Sequence, residues 1–286
     1  MSAEWSPAEV ALDQALDASR HWAVDAEDLI GSPHLTDLDS DRAAGLLMQI
    51  RTIVVPEFHA CLTLLCHPVE SWAVDVILRS MLEAVAHAAW VAEGEPRGTH
   101  PISQRCLGTD AEGVFAARRA SCLELGMAKA NKSNLDQANP GSMQADALDN
   151  ARTWLEQVTQ RHQGSGCTGR GRSYKDVAPM LLYWQSRYEL GWPADLWRMT
   201  SGVGHHMTPY RAATTTDGQV TWGGSMPLRE RAFQLHRVHT VYANLMQYVV
   251  LAVVATQVVA FREMTRPSRD LVTLAVNAAV AEVPNS

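Results

Sequence analysis

Residues 241–261 read Val241-Tyr242-Ala243-Asn244-Leu245-Met246-Gln247-Tyr248-Val249-Val250-Leu251-Ala252-Val253-Val254-Ala255-Thr256-Gln257-Val258-Val259-Ala260-Phe261, 21 positions without a charged side chain. A run of that length can cross a bilayer when lipid surrounds it, or form the middle of a bundle when other helices do. Asn244, Gln247, Thr256 and Gln257 interrupt it, and no other segment matches it. It therefore reads as a core helix, with no membrane as partner. It lies inside a helical pattern from about Leu228 to Glu263, and this long, central, late helix makes the chain an all-α, multi-helix bundle.

Working outward, helical periodicity holds nearly throughout. Ser6-Pro7-Ala8-Glu9 is a capping box with proline at the first helical position, and Gly31 is placed to end that helix. A second helix is expected from Asp39 or Asp41 to Cys66, bent at Pro56, and a third from after Pro68 to Gly94. Further helices are expected over about Ile102–Leu125 and Met143–His162, from Ser173 to near Gly191, and from Pro193 through Arg198. Residues 214–222 alternate around Asp217-Gly218 and predict one short β-hairpin. A last helix is expected near Asp270–Glu282. The whole chain, 1–286, reads as a single helical domain with a flexible Gly/Arg-rich linker at 163–172. That linker contains a G-x-G-x-x-G match, but between helices, where it lacks the strand that gives the motif its phosphate-cradling geometry.

Apolar residues at 47% and charged residues at 19% provide for a packed core and exclude disorder. The formal charge of −7 excludes a general electrostatic grip on nucleic acid, so DNA is not expected and any RNA contact is local. Five cysteines without a C-x-x-C pair point to a reducing compartment. The acidic opening residues lack the regions of a secretory signal, so the expected location is cytoplasmic.

Two stretches can carry chemistry. In Leu196-Trp197-Arg198-Met199-Thr200-Ser201-Gly202-Val203-Gly204-His205-His206, two glycines disfavour continuous helix and predict a bend that gathers Ser201, His205 and His206. A guanidinium beside such a bend can fork onto a phosphate, and an imidazole there titrates near neutrality. On the third helix Asp75, Arg79, Glu83 and His87 follow at four-residue steps, a polar line on an apolar segment. It reads as a solvated stripe of complementary pairs, or as charges facing a polar cavity.

Arg198, six residues, then His205 resembles the Arg–(four to six residues)–His signature of HEPN domains. Arg79-Ser80-Met81-Leu82-Glu83 with Trp90, together with Ser201-Gly202-Val203-Gly204-His205, also resembles a group of uncharacterised bacterial helical proteins. The HEPN resemblance implies an all-α fold and a homodimer in which two motifs face each other. The activity it implies is that of a metal-independent endoribonuclease without cofactor. Arg198 would stabilise charge on the scissile phosphate and His205 would transfer the proton, with Ser201 nearby and Glu83 and Arg79 orienting the pair. This chain departs from the nuclease pattern at Met199, where a polar residue is common.

Two alternatives stand beside that reading. One is an enzyme on a small-molecule substrate, or one using a divalent transition metal, drawing on Glu83, His87, His205, His236 and His239 across bundle helices. The other is a non-catalytic binding module of the same fold, towards which the acidic charge and Met199 point. Neither His-Glu-x-x-His nor Gly-x-Ser-x-Gly occurs.

Overall fold

The structure is a computed structural model, and it describes residues 5–31, 42–67, 71–92, 112–137, 145–163, 174–204, 214–216, 219–221, 226–253 and 257–282. Its helices are α1 (Pro7–Ile30), α2 (Arg42–Cys66), α3 (Ser71–Ala92), α4 (Glu112–Gln137), α5 (Ala145–Arg161), α6 (Tyr174–Arg187), α7 (Pro193–Gly204), α8 (Leu228–Val253) and α9 (Val258–Ala281). The architecture is all-helical. Thr214–Thr216 and Gln219–Thr221 also pair antiparallel, with Thr215 opposite Val220. Asp217 and Gly218, the turn expected between them, lie outside the described residues, as does the linker at 164–172.

The chain divides into two compact units. The first comprises Met1–His34, Gln49–Val85 and Trp192–Ser286, and the second Leu35–Met48 and Ala86–Gly191. In the first unit α1 packs along α9 and against α8, while α9 packs against α8. Ser6 opens α1 with the expected capping box: its hydroxyl accepts from Glu9 N–H while Glu9 accepts from Ser6 N–H. Gly31 closes it at φ 68°, in the left-handed region where a side chain would be strained. The Ala8 N–H donates to Glu282 Oε1 at 3.0 Å, tying the start of α1 to the residue after α9.

An aromatic cluster fills this unit. Phe58 stacks on Tyr242 at 4.0 Å between centroids, and Trp22 meets both edge-on. The Trp22 indole N–H donates to the Thr265 hydroxyl at 3.1 Å, and that hydroxyl donates to the Phe261 carbonyl at 2.7 Å, so the polar atoms of these two side chains are satisfied.

In the second unit Leu125, Ala128 and Val158, with Trp154 and Leu155, form the seam between α4 and α5. Glu124 closes it by accepting from Arg161 at 2.9 Å and lying 2.6 Å from His162 Nε2. Buried Arg119 donates to the Trp90 carbonyl at 2.8 Å.

Three expectations about helix ends need correction. The fourth helix runs through Gly126 to Gln137 instead of ending near Leu125, because Leu125 and Ala128 are buried against α5 and that burial outweighs the glycine. The pattern expected as one helix to Glu263 is described as α8 to Val253 and as α9 from Val258 on, with 254–256 outside the described residues and Glu263 inside α9. That helix, α9, then crosses Pro267 without ending. Its buried stripe Phe261, Thr265, Ser268, Val272, Ala275, Ala279 is continuous across the proline, and docking of that stripe overrides the lost ladder bond. The uncharged run contributes Val241, Tyr242, Leu245, Met246, Tyr248, Val249 and Val250 to the core. Among the described residues no helix is long and apolar enough to cross a membrane.

Candidate functional site

The polar line on α3 is neither fully exposed nor sealed; Asp75, Arg79, Glu83 and His87 are all half-buried. Within the first unit its members reach two other helices. Gln234 on α8 donates through Nε2 to Asp75 Oδ1 at 2.6 Å. Trp197 on α7 donates through its indole N–H to Glu83 Oε1 at 2.9 Å. Arg79 Nε stands 3.4 Å from the same Glu83 oxygen, and its guanidinium carbon lies 5.9 Å from the Trp197 ring centroid. Asp75, Arg79 and Glu83 are thus a seam that anchors α7 and α8, not a solvated row of pairs. His87, one turn further along α3, belongs to the second unit.

The electrostatics of this seam follow from its burial. Burial pushes the Asp75 carboxyl up to about 6, aided by Glu230 and opposed by the Gln234 hydrogen bond and by Arg237. Glu57 on α2 is raised as well, first by burial and also by the nearby Glu83, while a hydrogen bond with Ser80 works against the rise. Its Oε2, like Gln234 Oε1, is buried without a partner among the described residues. Burial, then Glu57 and Asp75, push the Cys61 thiol up, which keeps it neutral and unreactive.

The other expected residues lie as follows. Arg198 is half-exposed on α7, with its NH1 3.1 Å from Asp195 Oδ1, one turn back on the same helix. Its neighbour Trp197 is buried, while Arg198 and Met199 are exposed. The glycines do not break the helix where it is described: α7 remains helical through Gly202 to Gly204, and a bend gathering His205 and His206 beyond that point lies outside the described residues. The reason lies one turn earlier, where Leu196, Trp197 and Thr200 are buried and the Thr200 hydroxyl donates to the Trp197 carbonyl at 3.1 Å. Ser201 is four residues beyond Trp197 on this helix, and His205 and His206, directly after its end, lie outside the described residues.

Of the metal alternative, His239 is fully used. Its Nε2 lies 3.0 Å from the Ser268 hydroxyl, its ring packs on Trp22 at 4.6 Å, and burial lowers it to about 3, so it is a neutral core histidine. His236 is lowered by burial and by Arg237. Glu83 is taken by Trp197 and Arg79. Among the described residues no group of three or more His, Cys, Asp or Glu side chains is placed to hold a metal ion.

Sequence reasoning missed a second polar cluster in the first unit. Glu27, in the last turn of α1, accepts at Oε1 from the Tyr242 hydroxyl at 3.2 Å and lies 3.4 Å from His59 Nε2. Arg51 NH2 stands 3.9 Å from the other oxygen. Its sign in the sequence is slight, the phenol of Tyr242 near the start of the uncharged run. No family model, no curated protein and no solved structure matches the chain.

Proposed function

We propose that this chain is a HEPN-like helical protein of the cytoplasm that cuts RNA without a metal, as a homodimer whose two copies each supply half of the cleft. Arg198, Ser201 and His205 stand at the reacting phosphate in this reading, with Glu83 and Arg79 as positioning residues behind them.

The observation that carries it is the Trp197–Glu83 hydrogen bond, with Arg79 on the same indole. It ties Glu83 and Arg79 of α3 to Trp197 of α7, the helix that His205 follows in the sequence, and this supports reading the two stretches as parts of one site. Arg198 is available to a phosphate for a related reason. Its pairing with Asp195 is exposed and spans three residues of one helix, an arrangement contributing only about a few tenths of a kcal/mol. A phosphodiester offers the same guanidinium a bidentate partner whose single negative charge grows towards two as the 2′-oxygen attacks.

His205 takes the proton from a ribose 2′-hydroxyl, the 2′-oxygen attacks phosphorus, and the bond to the 5′-oxygen breaks. An imidazolium from the second copy protonates the leaving oxygen, giving a 2′,3′-cyclic phosphate and a 5′-hydroxyl. DNA lacks the nucleophile and is not cut.

The test is cleavage of single-stranded RNA in excess chelator. Wild-type protein is expected to cut, and His205→Ala to lose about 100-fold or more. Cleavage that survives His205→Ala, or that needs an added divalent ion, overturns the reading.

A further inference from the structure

The donors of the Glu27 cluster are spread unevenly over its carboxylate. Tyr242 and His59 both converge on Oε1, while Arg51, the strongest donor of the set, makes no hydrogen bond to Oε2 at 3.9 Å. Arg51 Nε is buried and has no partner among the described residues. The guanidinium carries five N–H groups in a fixed fork, and leaving one buried and unpaired is unfavourable unless another acceptor takes it. The cluster is reachable from solvent: the Arg51, Glu27 and His59 side chains are 17%, 27% and 41% exposed. It is also rigidly backed, because Tyr242 is fully buried and stacked on Phe58.

The chemistry of the set selects a ligand. A single oxygen that accepts from Arg51 and donates to Glu27 Oε2 bridges the 3.9 Å separation, which describes a hydroxyl. The remaining guanidinium N–H groups and the imidazole suit the oxygens of a neighbouring anion. Tyr242 and His59 draw charge from the Glu27 carboxylate, so that anion faces the guanidinium rather than a bare carboxylate.

We propose that Glu27, Arg51 and His59 bind a phosphate ester carrying a hydroxyl on the adjacent carbon, with the phosphate on Arg51 and His59 and the hydroxyl on Glu27. A ribonucleoside 3′-phosphate has this arrangement, whether as a free nucleotide or as a unit of RNA. The site does not rest on cleavage by His205, and the test reads binding without turnover.

The His59 imidazole signal, identified by its loss in His59→Gln, is followed by NMR in the full chain. Adenosine 3′-monophosphate is expected to shift it saturably. The 2′-deoxy analogue and inorganic phosphate bind at least tenfold more weakly, and Arg51→Gln weakens the ribonucleotide at least tenfold. Displacement of the mononucleotide by a short single-stranded RNA assigns RNA as the source; its persistence assigns the free nucleotide. The proposal is overturned if the ribonucleotide gives no saturable shift, if the deoxy analogue binds equally well, or if Arg51→Gln binds like the wild type.

Discussion

Asp75 sits under Gln234 with its carboxyl raised to about 6 against an ordinary value near 3.8. The folded protein therefore holds a proton that the unfolded chain has released between about pH 4 and 6, and stability present at the acid end is lost as pH rises through 6. Two pKa units correspond to roughly 3 kcal/mol, so at pH 7 the ionised carboxylate costs up to about that much. Asp75→Asn keeps an acceptor for Gln234 Nε2 and removes the charge. In urea unfolding the variant is expected to match the wild type near pH 4 and to exceed it by about 1–3 kcal/mol at pH 7. Parallel pH profiles for the two proteins would contradict the burial of this carboxyl. His239, held neutral by its own burial, contributes the opposite slope, with stability lost as pH falls below 6.5 towards 3, but equally in both proteins. Residues such as Asp75, Arg79 and Glu83 were legible because four-residue spacing on a helix is a local property. Their partners were not. Trp197 is 114 positions from Glu83, Gln234 is 159 from Asp75, and Tyr242 is 215 from Glu27, and no local pattern encodes contacts of that separation.

Helix beginnings and helix ends were unequally readable. The capping box of α1 and its terminal Gly31 are chemical signals that act on their own backbone, and both function as expected. Gly126, Gly202 and Pro267 are also breakers by propensity, yet α4, α7 and α9 run through them. In α4 and α9 a buried stripe continues past the breaker, and in α7 buried Trp197 and Thr200 anchor the turn before it. Propensities of about 1 kcal/mol for glycine yield to such packing. Proline costs more, which gives a direct check on α9. Pro267 is exposed, so Pro267→Ala restores a ladder hydrogen bond without emptying the core. The substitution is expected to raise stability by about 1–3 kcal/mol in chemical unfolding. A neutral or destabilising result would mean that the helix does not continue through position 267.

At the scale of the whole molecule, a chain with a formal charge of −7 has to recognise an anionic partner through a few placed arginines rather than through its overall field. The all-helical class was readable from periodicity and composition. The division into two compact units was not, because two of its four boundaries fall inside α2 and α3, where no linker composition marks them. The central claim joins α3 to the end of α7: Glu83, bonded to Trp197, supports the histidine that follows Gly204. A double-mutant cycle on kcat/KM for RNA cleavage, using Glu83→Gln and His205→Ala, tests it most directly. Glutamine retains the acceptor for Trp197 and loses only the charge facing Arg79. If Glu83 acts through His205, the double variant is no slower than His205→Ala alone; if the two losses simply multiply, the residues serve no common site and the account fails.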